Sequence, residues 1–179
     1  MLYRLGHLVD DVWRMYSHPP LFEAQKERIV SAAPASDPLV FKHLLACLNP
    51  PFHLLYVLHT PRGEGDAGRY QSPAISSSQV AAFLERFDDL FRGDGRFDLW
   101  LHSPGDHATI VWDRHDLIFA YGPTDAYEGA LRRLGFTLGE PIIPFPHEHH
   151  YRAELDEQAR GVLQAFDWRF NPLEEEDEQ

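Results

Sequence analysis

The sequence predicts an α+β fold, in which an antiparallel sheet of about four to five strands packs against helices and follows a helical N-terminal segment. Two patterns support this prediction. Apolar residues recur at helical spacing in residues 1–48 and again in residues 76–93. Residues 97–122 instead alternate between apolar and polar side chains, as strands with one buried face do. The 179 residues are 44% apolar, enough for one core, so we expect a single domain over residues 1–173.

The N-terminal segment, residues 1–48, is predicted to contain three helices. The apolar residues of the first helix fall on one face and are Leu5, Leu8, Val9 and Val12. This helix ends before Pro19, because proline disfavours helical backbone in the residue that precedes it. The second helix is predicted over residues 21–33. Asp37 is a suitable N-cap for the third helix, with Pro38 at its first position.

A buried strand is predicted at residues 52–60, where the sheet-rich core of residues 52–145 begins. The loop after this strand contains a G-x-G-x-x-G pattern, formed by Gly63, Gly65 and Gly68. A dinucleotide site would need a helix directly after these glycines. Instead Pro73 follows, and Glu64 and Asp66 place negative charge where phosphate would bind. We therefore interpret the segment as a hairpin loop.

Three more helices are predicted in the second half of the chain. The first begins at residues 76–78, whose serines can cap it, and has one apolar face. The second covers residues 125–134 and ends at Gly135, the usual position for a C-terminal glycine. The third is a C-terminal helix, residues 150–168. The acidic tail after it, residues 174–179, is expected to be disordered because its like charges repel each other.

Residues 97–122 are predicted to form three antiparallel strands joined by two tight turns. Gly105-Asp106 suits the first turn, since glycine at the first central position favours a type II′ hairpin. Arg114-His115 is taken as the second turn. Directly opposed residues share a face of a sheet. In this register the core face consists of Phe97, Leu99, Leu101, Ile110, Trp112, Leu117, Phe119 and Tyr121.

The opposite face of these strands, here called the Trp100 face, is a candidate binding surface. Its predicted apolar centre consists of Trp100, Val111 and Ile118, and Asp98 and His102 lie beside it. One interpretation is that the N-terminal helices cover this face and place the sheet between two helical layers. The other is that an apolar centre with a polar rim docks a partner.

Three histidines occur in four consecutive positions, His147-Glu148-His149-His150. If the segment is extended, His147 and His149 project to the same side and provide two of the three ligands of a zinc site. The third ligand would come from elsewhere, and the candidates are His102, His107 and His115. If the segment begins a helix, His147 and His150 are neighbours and Glu148 lies near the positive end of the helix dipole. The remaining interpretation is a set of solvated histidines without a metal.

Composition argues against two classes of partner. The formal net charge is −12 and the chain has no basic stripe, whereas binding to nucleic-acid phosphates requires one. No apolar run approaches the roughly 20 residues that span a bilayer, so no membrane association is expected. Cys47 is the only cysteine, which rules out an internal disulfide and favours a cytoplasmic location.

Two functions from different classes remain. The favoured one is a non-catalytic module that binds another protein or a second copy of itself through the Trp100 face and needs no cofactor. The alternative is a zinc-binding protein or zinc-dependent hydrolase that uses residues 147–150. The sequence lacks a G-x-S-x-G nucleophile motif. No catalytic residue is therefore assigned, and the sequence favours a role other than that of an enzyme.

Overall fold

A computed structural model describes residues 2–178, in which strands outnumber helices. The strands are β1 (Leu5–Val9), β2 (Val12–Met15), β3 (Leu21–Ala24), β4 (Arg28–Ala32), β5 (His53–Leu58), β6 (Gly68–Gln71), β7 (Phe97–Ser103), β8 (Ala108–Trp112), β9 (Leu117–Tyr121), β10 (Thr137–Leu138), β11 (His147–His149) and β12 (Arg169–Asn171). The α-helices are α1 (Leu39–Leu45), α2 (Ser77–Arg86), α3 (Asp88–Gly93), α4 (Thr124–Arg133) and α5 (Asp156–Leu163).

The strands form two sheets. A large sheet has the order β10-β3-β4-β9-β8-β7-β5-β6-β12, and a small sheet has the order β11-β1-β2. Neighbouring strands are antiparallel except β10 and β3, which are parallel. The predicted fold class, a smaller and purely antiparallel sheet behind a helical N-terminal segment, is therefore wrong. The additional strands come from segments that were predicted to be helices or connectors.

The predicted helices within residues 1–33 are the main error, because this segment forms two β-hairpins. Asp10 and Asp11 connect β1 to β2 with φ values of 50° and 59°, and a two-residue hairpin turn requires such positive values. Of the three predicted N-terminal helices only the third is present, as α1. Before it, the Asp37 carboxylate accepts a hydrogen bond from the Leu39 N–H at 2.9 Å.

The C-terminal helix is shorter than predicted. After α5 the chain turns into β12, which pairs with β6 at the edge of the large sheet. In the acidic tail, Glu174 and Asp177 pair with Arg69 of β6, with O···N distances of 2.6 and 3.0 Å. Gln179, the last residue of the predicted tail, lies outside the described residues.

Of the two hairpin registers predicted for residues 97–122, the first is confirmed and the second is wrong. β7 pairs with β8 as expected, with Leu101 opposite Ile110. The turn from β8 to β9 is longer than the two residues expected, and it places Ile118 opposite Trp112. Ile118 is therefore buried in the core, whereas Phe119 and Tyr121 move to the opposite face of the sheet.

All five described helices contribute to a single core on one face of the large sheet. Core residues from the sheet include Leu99 and Trp112, and those from the helices include Phe41, Leu84 and Val162. Because the first strands replace the predicted N-terminal helices, none of the five α-helices within residues 2–178 covers the Trp100 face, although Asp177 of the C-terminal tail lines part of it. No helix within residues 2–178 has the length and apolar character needed to cross a membrane.

Candidate metal centre

Three histidines from separate parts of the sequence meet at one end of the large sheet. His115, His147 and His149 each offer one ring nitrogen, and these nitrogens all lie within 4.8 Å of one another. The ring centroids are 4.8 to 5.5 Å apart, and all three side chains are half-buried. Neutral imidazole is a common zinc ligand. The cluster therefore has the ligand type and proximity that a zinc ion requires.

β11 brings two of these ligands to the same side. The segment is extended, so residues two positions apart project in the same direction. β11 is held between β1 and the α3–β7 connection. The His150 N–H donates to the Arg4 carbonyl at 3.0 Å, and the Gly95 N–H donates to the His150 carbonyl at 2.9 Å. Of the two conformations that the sequence left open for this segment, extended and helical, the structure has the extended one.

His150 does not join the cluster, although it was a candidate ligand. Its Nε2 lies 3.2 Å from Glu148 Oε1, and its ring packs against the edge of Tyr3. The third position of the cluster is taken by His115 instead. Of the other two candidates, His102 contacts Thr109 on the large sheet, with Nδ1 3.0 Å from the hydroxyl oxygen, and His107 lies in the β7–β8 turn.

His115 reaches the cluster because of the four-residue turn between β8 and β9. The carboxylate of Asp113 accepts hydrogen bonds from the N–H groups of His115 and Leu117, at 2.9 and 2.8 Å. Asp116 adopts the left-handed conformation, with φ of 60°. The side chain of Asp113 thus stabilises a turn of four residues. This turn length exchanges the core-facing and outward-facing residues of β9 relative to the prediction, and it makes His115 project from the sheet.

Buried Arg4 connects this turn to the small sheet. Its Nε lies 3.2 Å from the carboxylate of Asp116, and a second guanidinium nitrogen donates to the Asp113 carbonyl. The guanidinium also lies 4.8 Å from the ring centre of Trp112. On the other side, buried His18 donates from Nε2 to the His115 carbonyl at 2.8 Å. These contacts position the His115 backbone next to β11.

Two of the three imidazoles are oriented by a contact of Nδ1 with an oxygen atom. His147 Nδ1 lies 2.8 Å from the Pro144 carbonyl, and His115 Nδ1 lies 3.3 Å from the Asp113 carboxylate. A carbonyl oxygen only accepts hydrogen bonds, so His147 Nδ1 carries the hydrogen and Nε2 keeps its lone pair. Metal-bound histidines make this type of outer contact in most proteins, and it raises the basicity of the ligand.

The electrostatic environment favours the uncharged form of the third imidazole. Burial lowers the pKa of His149 to about 3, and the neighbouring charges of His115, Arg4 and Arg114 act in the same direction. A neutral ring presents a lone pair without first losing a proton. The Nδ1 atom of His149 is buried without a hydrogen-bond partner among the described residues.

A pocket on the Trp100 face adjoins the cluster. It has a volume of roughly 510 Å³, within the range of small-molecule sites. Asp113, Arg114 and His115 line one end of it, and Trp100, Val111 and Phe119 line its middle. The cluster is therefore next to a cavity large enough for an organic ligand.

The structure places most of the residues predicted for the Trp100 face on that face, but not Ile118. Trp100 and Val111 are paired and share this face with Asp98 and His102, as the register of β7 and β8 predicted. Ile118 lies in the core, so its assignment to the face is wrong. The structure puts Phe119 and Tyr121 in its place. Sequence reasoning missed the presence of these two residues on the face, the role of Arg4, and the role of Asp113 in the β8–β9 turn.

Comparison with known proteins returned no match to a protein-family model, a curated protein sequence or a solved structure. A functional proposal for this chain therefore depends on the chemistry of the histidine cluster and the adjoining pocket.

Proposed function

We propose that this chain binds one zinc ion through His115, His147 and His149 and leaves one coordination position open. The observation that supports this proposal is the convergence of three imidazole nitrogens within 4.8 Å from two distant segments. In a tetrahedral zinc site with bonds of about 2.0–2.1 Å, two nitrogens are roughly 3.3 Å apart. Closing the cluster around zinc therefore needs each ring nitrogen to move by at most about 1 Å, which small ring rotations supply.

Three protein ligands are typical of zinc sites that bind an exogenous ligand. Structural zinc sites are closed by four protein ligands, whereas catalytic sites keep the fourth position for water or substrate. A zinc ion held by these three histidines would act as a Lewis acid and would supply an activated water at neutral pH. Together with the adjoining pocket, this supports a zinc-dependent hydrolytic role over a structural one.

The direct test is a zinc titration of metal-free protein prepared without a histidine tag. We expect one zinc ion per chain in competition with a chromophoric chelator. Cobalt(II) at the same site should give the visible absorption of four-coordinate cobalt, with a stoichiometry of one. Binding of less than half an equivalent of either metal to the folded protein would refute the proposal.

Asp113→Asn should weaken zinc binding by about 10- to 100-fold, the usual cost of losing an outer partner of a metal-bound histidine. The amide cannot provide the negative charge that the His115 Nδ1–H faces at 3.3 Å. Asp106→Asn is a matched control, because Asp106 also accepts a backbone N–H, that of Asn49, but lies in the β7–β8 turn at the other end of these strands. The zinc affinity of each variant would be measured by chelator competition. Equal affinities for the two variants would contradict the assigned role of Asp113.

Binding of a protein partner or a second copy is a second candidate function. It is supported by the Trp100 face, which carries Trp100, Val111 and Phe119 and is not covered by any of the five α-helices of the described residues. Either function fits a reducing compartment such as the cytoplasm, since Cys47 is the only cysteine.

Trp100→Ala is expected to shift a dimer or complex toward the free chain, because large aromatic residues dominate the binding energy of interfaces. Sedimentation velocity at several concentrations measures this shift. Trp13→Ala is the control, because Trp13 is an exposed tryptophan on β2, in the small sheet. A folded Trp100→Ala protein with unchanged association would exclude this second function.

A further inference from the structure

We infer that the pocket beside the histidine cluster binds an amphipathic carboxylate, whose apolar body lies on Trp100 and Phe119 and whose carboxylate pairs with Arg28. This inference rests on the proposed zinc function, because the opposite end of the same ligand would meet the metal. It specifies the class of molecule that the site takes.

The register of the sheet gives the pocket two distinct ends. Asp113 and His115 line the end at the β8–β9 turn, and Thr109, Tyr121 and Arg28 line the other. Thr109 lies opposite Tyr121, which in turn lies opposite Arg28 on β4. Asp113 and Thr109 are four residues apart along one strand, so the two ends are separated by roughly 13 Å. A ligand that spans the pocket must therefore be elongated.

The far end carries the positive charge of Arg28, which is held by neutral polar groups. The Arg28 guanidinium donates to the Gln25 side chain at 2.7 Å and to the Tyr121 hydroxyl at 2.8 Å. Among the side chains that the structure describes, those of residues 2–175 and 177, no carboxylate makes an ion pair with its nitrogens. The guanidinium also lies 5.3 Å from the ring centre of Phe119. Arg28 is thus held in place with its charge available to an anion.

The other arginine near the apolar middle of the pocket is already neutralised. Arg69 lies 5.9 Å from the ring centre of Trp100 and pairs with Glu174 and Asp177. The two arginines that line the pocket lie at opposite ends, Arg114 beside His115 and Arg28 beside Tyr121, so an anionic group at the end away from the histidines meets Arg28. Arginine binds carboxylates through two parallel N–H groups, which adds orientation to the charge attraction.

The middle of the pocket suits an apolar or aromatic group. Trp100, Val111 and Phe119 form one continuous row across β7, β8 and β9. Both rings are half-buried, so they retain apolar surface for a ligand to cover. The Trp100 Nε1–H is buried and has no hydrogen-bond partner among the described residues.

The test compares three ligands of equal length: 6-phenylhexanoate, the neutral 6-phenylhexanamide and 6-phenylhexylamine. Binding is followed by NMR through the indole N–H resonance of Trp100, assigned with Trp100→Phe. We expect the carboxylate to bind about tenfold or more tightly than the amide, the usual advantage of a hydrogen bond to a charged group. We expect no binding of the amine. Equal affinity for all three ligands would overturn the inference.

Arg28→Gln should remove the preference for the carboxylate over the amide. Arg86→Gln should leave it unchanged, since Arg86 also stacks on an aromatic ring, Phe87, but belongs to helix α2. An undiminished carboxylate preference in Arg28→Gln would overturn the inference.

The same titrations are run on zinc-free and zinc-loaded protein, so that the two proposals can fail separately. Protein that holds one zinc per chain but binds no carboxylate refutes the ligand class and leaves the zinc function intact. Protein that binds the carboxylate through Arg28 but takes up no zinc supports the ligand class and refutes the metal site.

Discussion

Replacement of His149 by alanine is expected to lower the zinc affinity by at least about 100-fold, because removal of outer partners alone costs 10- to 100-fold. His149 is one of three nitrogen donors within 4.8 Å of one another. Two histidines and water bind zinc much more weakly than three histidines, since one strong bond is replaced by solvent. Chelator competition on metal-free protein measures the affinity.

His150→Ala is the matched control for this experiment. His150 is adjacent in sequence and pairs with Glu148 outside the cluster. Its replacement should leave the zinc affinity within a factor of about two, since the residue is neither a ligand nor an outer partner of one. If His150→Ala impaired zinc binding as much as His149→Ala, the three ligands would be wrongly assigned.

Arg4→Met is expected to reduce the free energy of unfolding by about 3–5 kcal/mol, the usual cost of removing one partner of a buried ion pair. Arg4 and Asp116 are both fully buried, and their charges lie 3.2 Å apart. Without Arg4, the Asp116 carboxylate keeps its hydrogen bonds from Ser36 and Trp112 but loses its counter-charge. Urea denaturation followed by tryptophan fluorescence measures this loss.

The double variant Arg4→Met with Asp116→Asn shows how much of the lost stability comes from the unpaired buried charge and how much from lost packing of the Arg4 side chain. An amide at this position can still interact with Ser36 and Trp112 without a buried charge. We expect the double variant to regain at least half of the lost stability. A double variant less stable than Arg4→Met alone would show that the pair acts through shape and hydrogen bonds, and not through charge compensation.

The parts of the fold that were predictable are those set by local chemistry. The β7–β8 register follows from the turn around Gly105 and from strict alternation. The direction of His147 and His149 follows from the period of two in an extended segment. In both cases neighbouring residues determine the geometry, so one sequence is sufficient.

The errors arose where side chains outside the local pattern decide the structure. The spacing of Leu5, Leu8, Val9 and Val12 fits one face of a helix, yet the paired aspartates between them adopt positive φ and close a hairpin. In the second turn, the Asp113 side chain accepts two backbone hydrogen bonds and lengthens the connection. With this longer turn Ile118 faces the core and Phe119 lies on the Trp100 face, which is the reverse of the prediction.

For the third histidine of the cluster, the sequence narrowed the candidates to three residues but did not distinguish between them. The choice of His115 depends on the β8–β9 turn and on Arg4, which holds that turn against the small sheet. The sequence signal that favours His115 is faint. It is a carboxylate two residues before the histidine, and such a carboxylate can both close a turn and orient the imidazole ring.

X-ray absorption at the zinc edge of tag-free protein loaded with one equivalent of zinc tests the metal site most directly. We predict a first shell of three imidazole nitrogens at about 2.0–2.1 Å and one oxygen from water. His149→Ala should reduce the imidazole contribution to two. A shell made of oxygens alone, or an unchanged imidazole contribution in His149→Ala, would contradict the proposed zinc site.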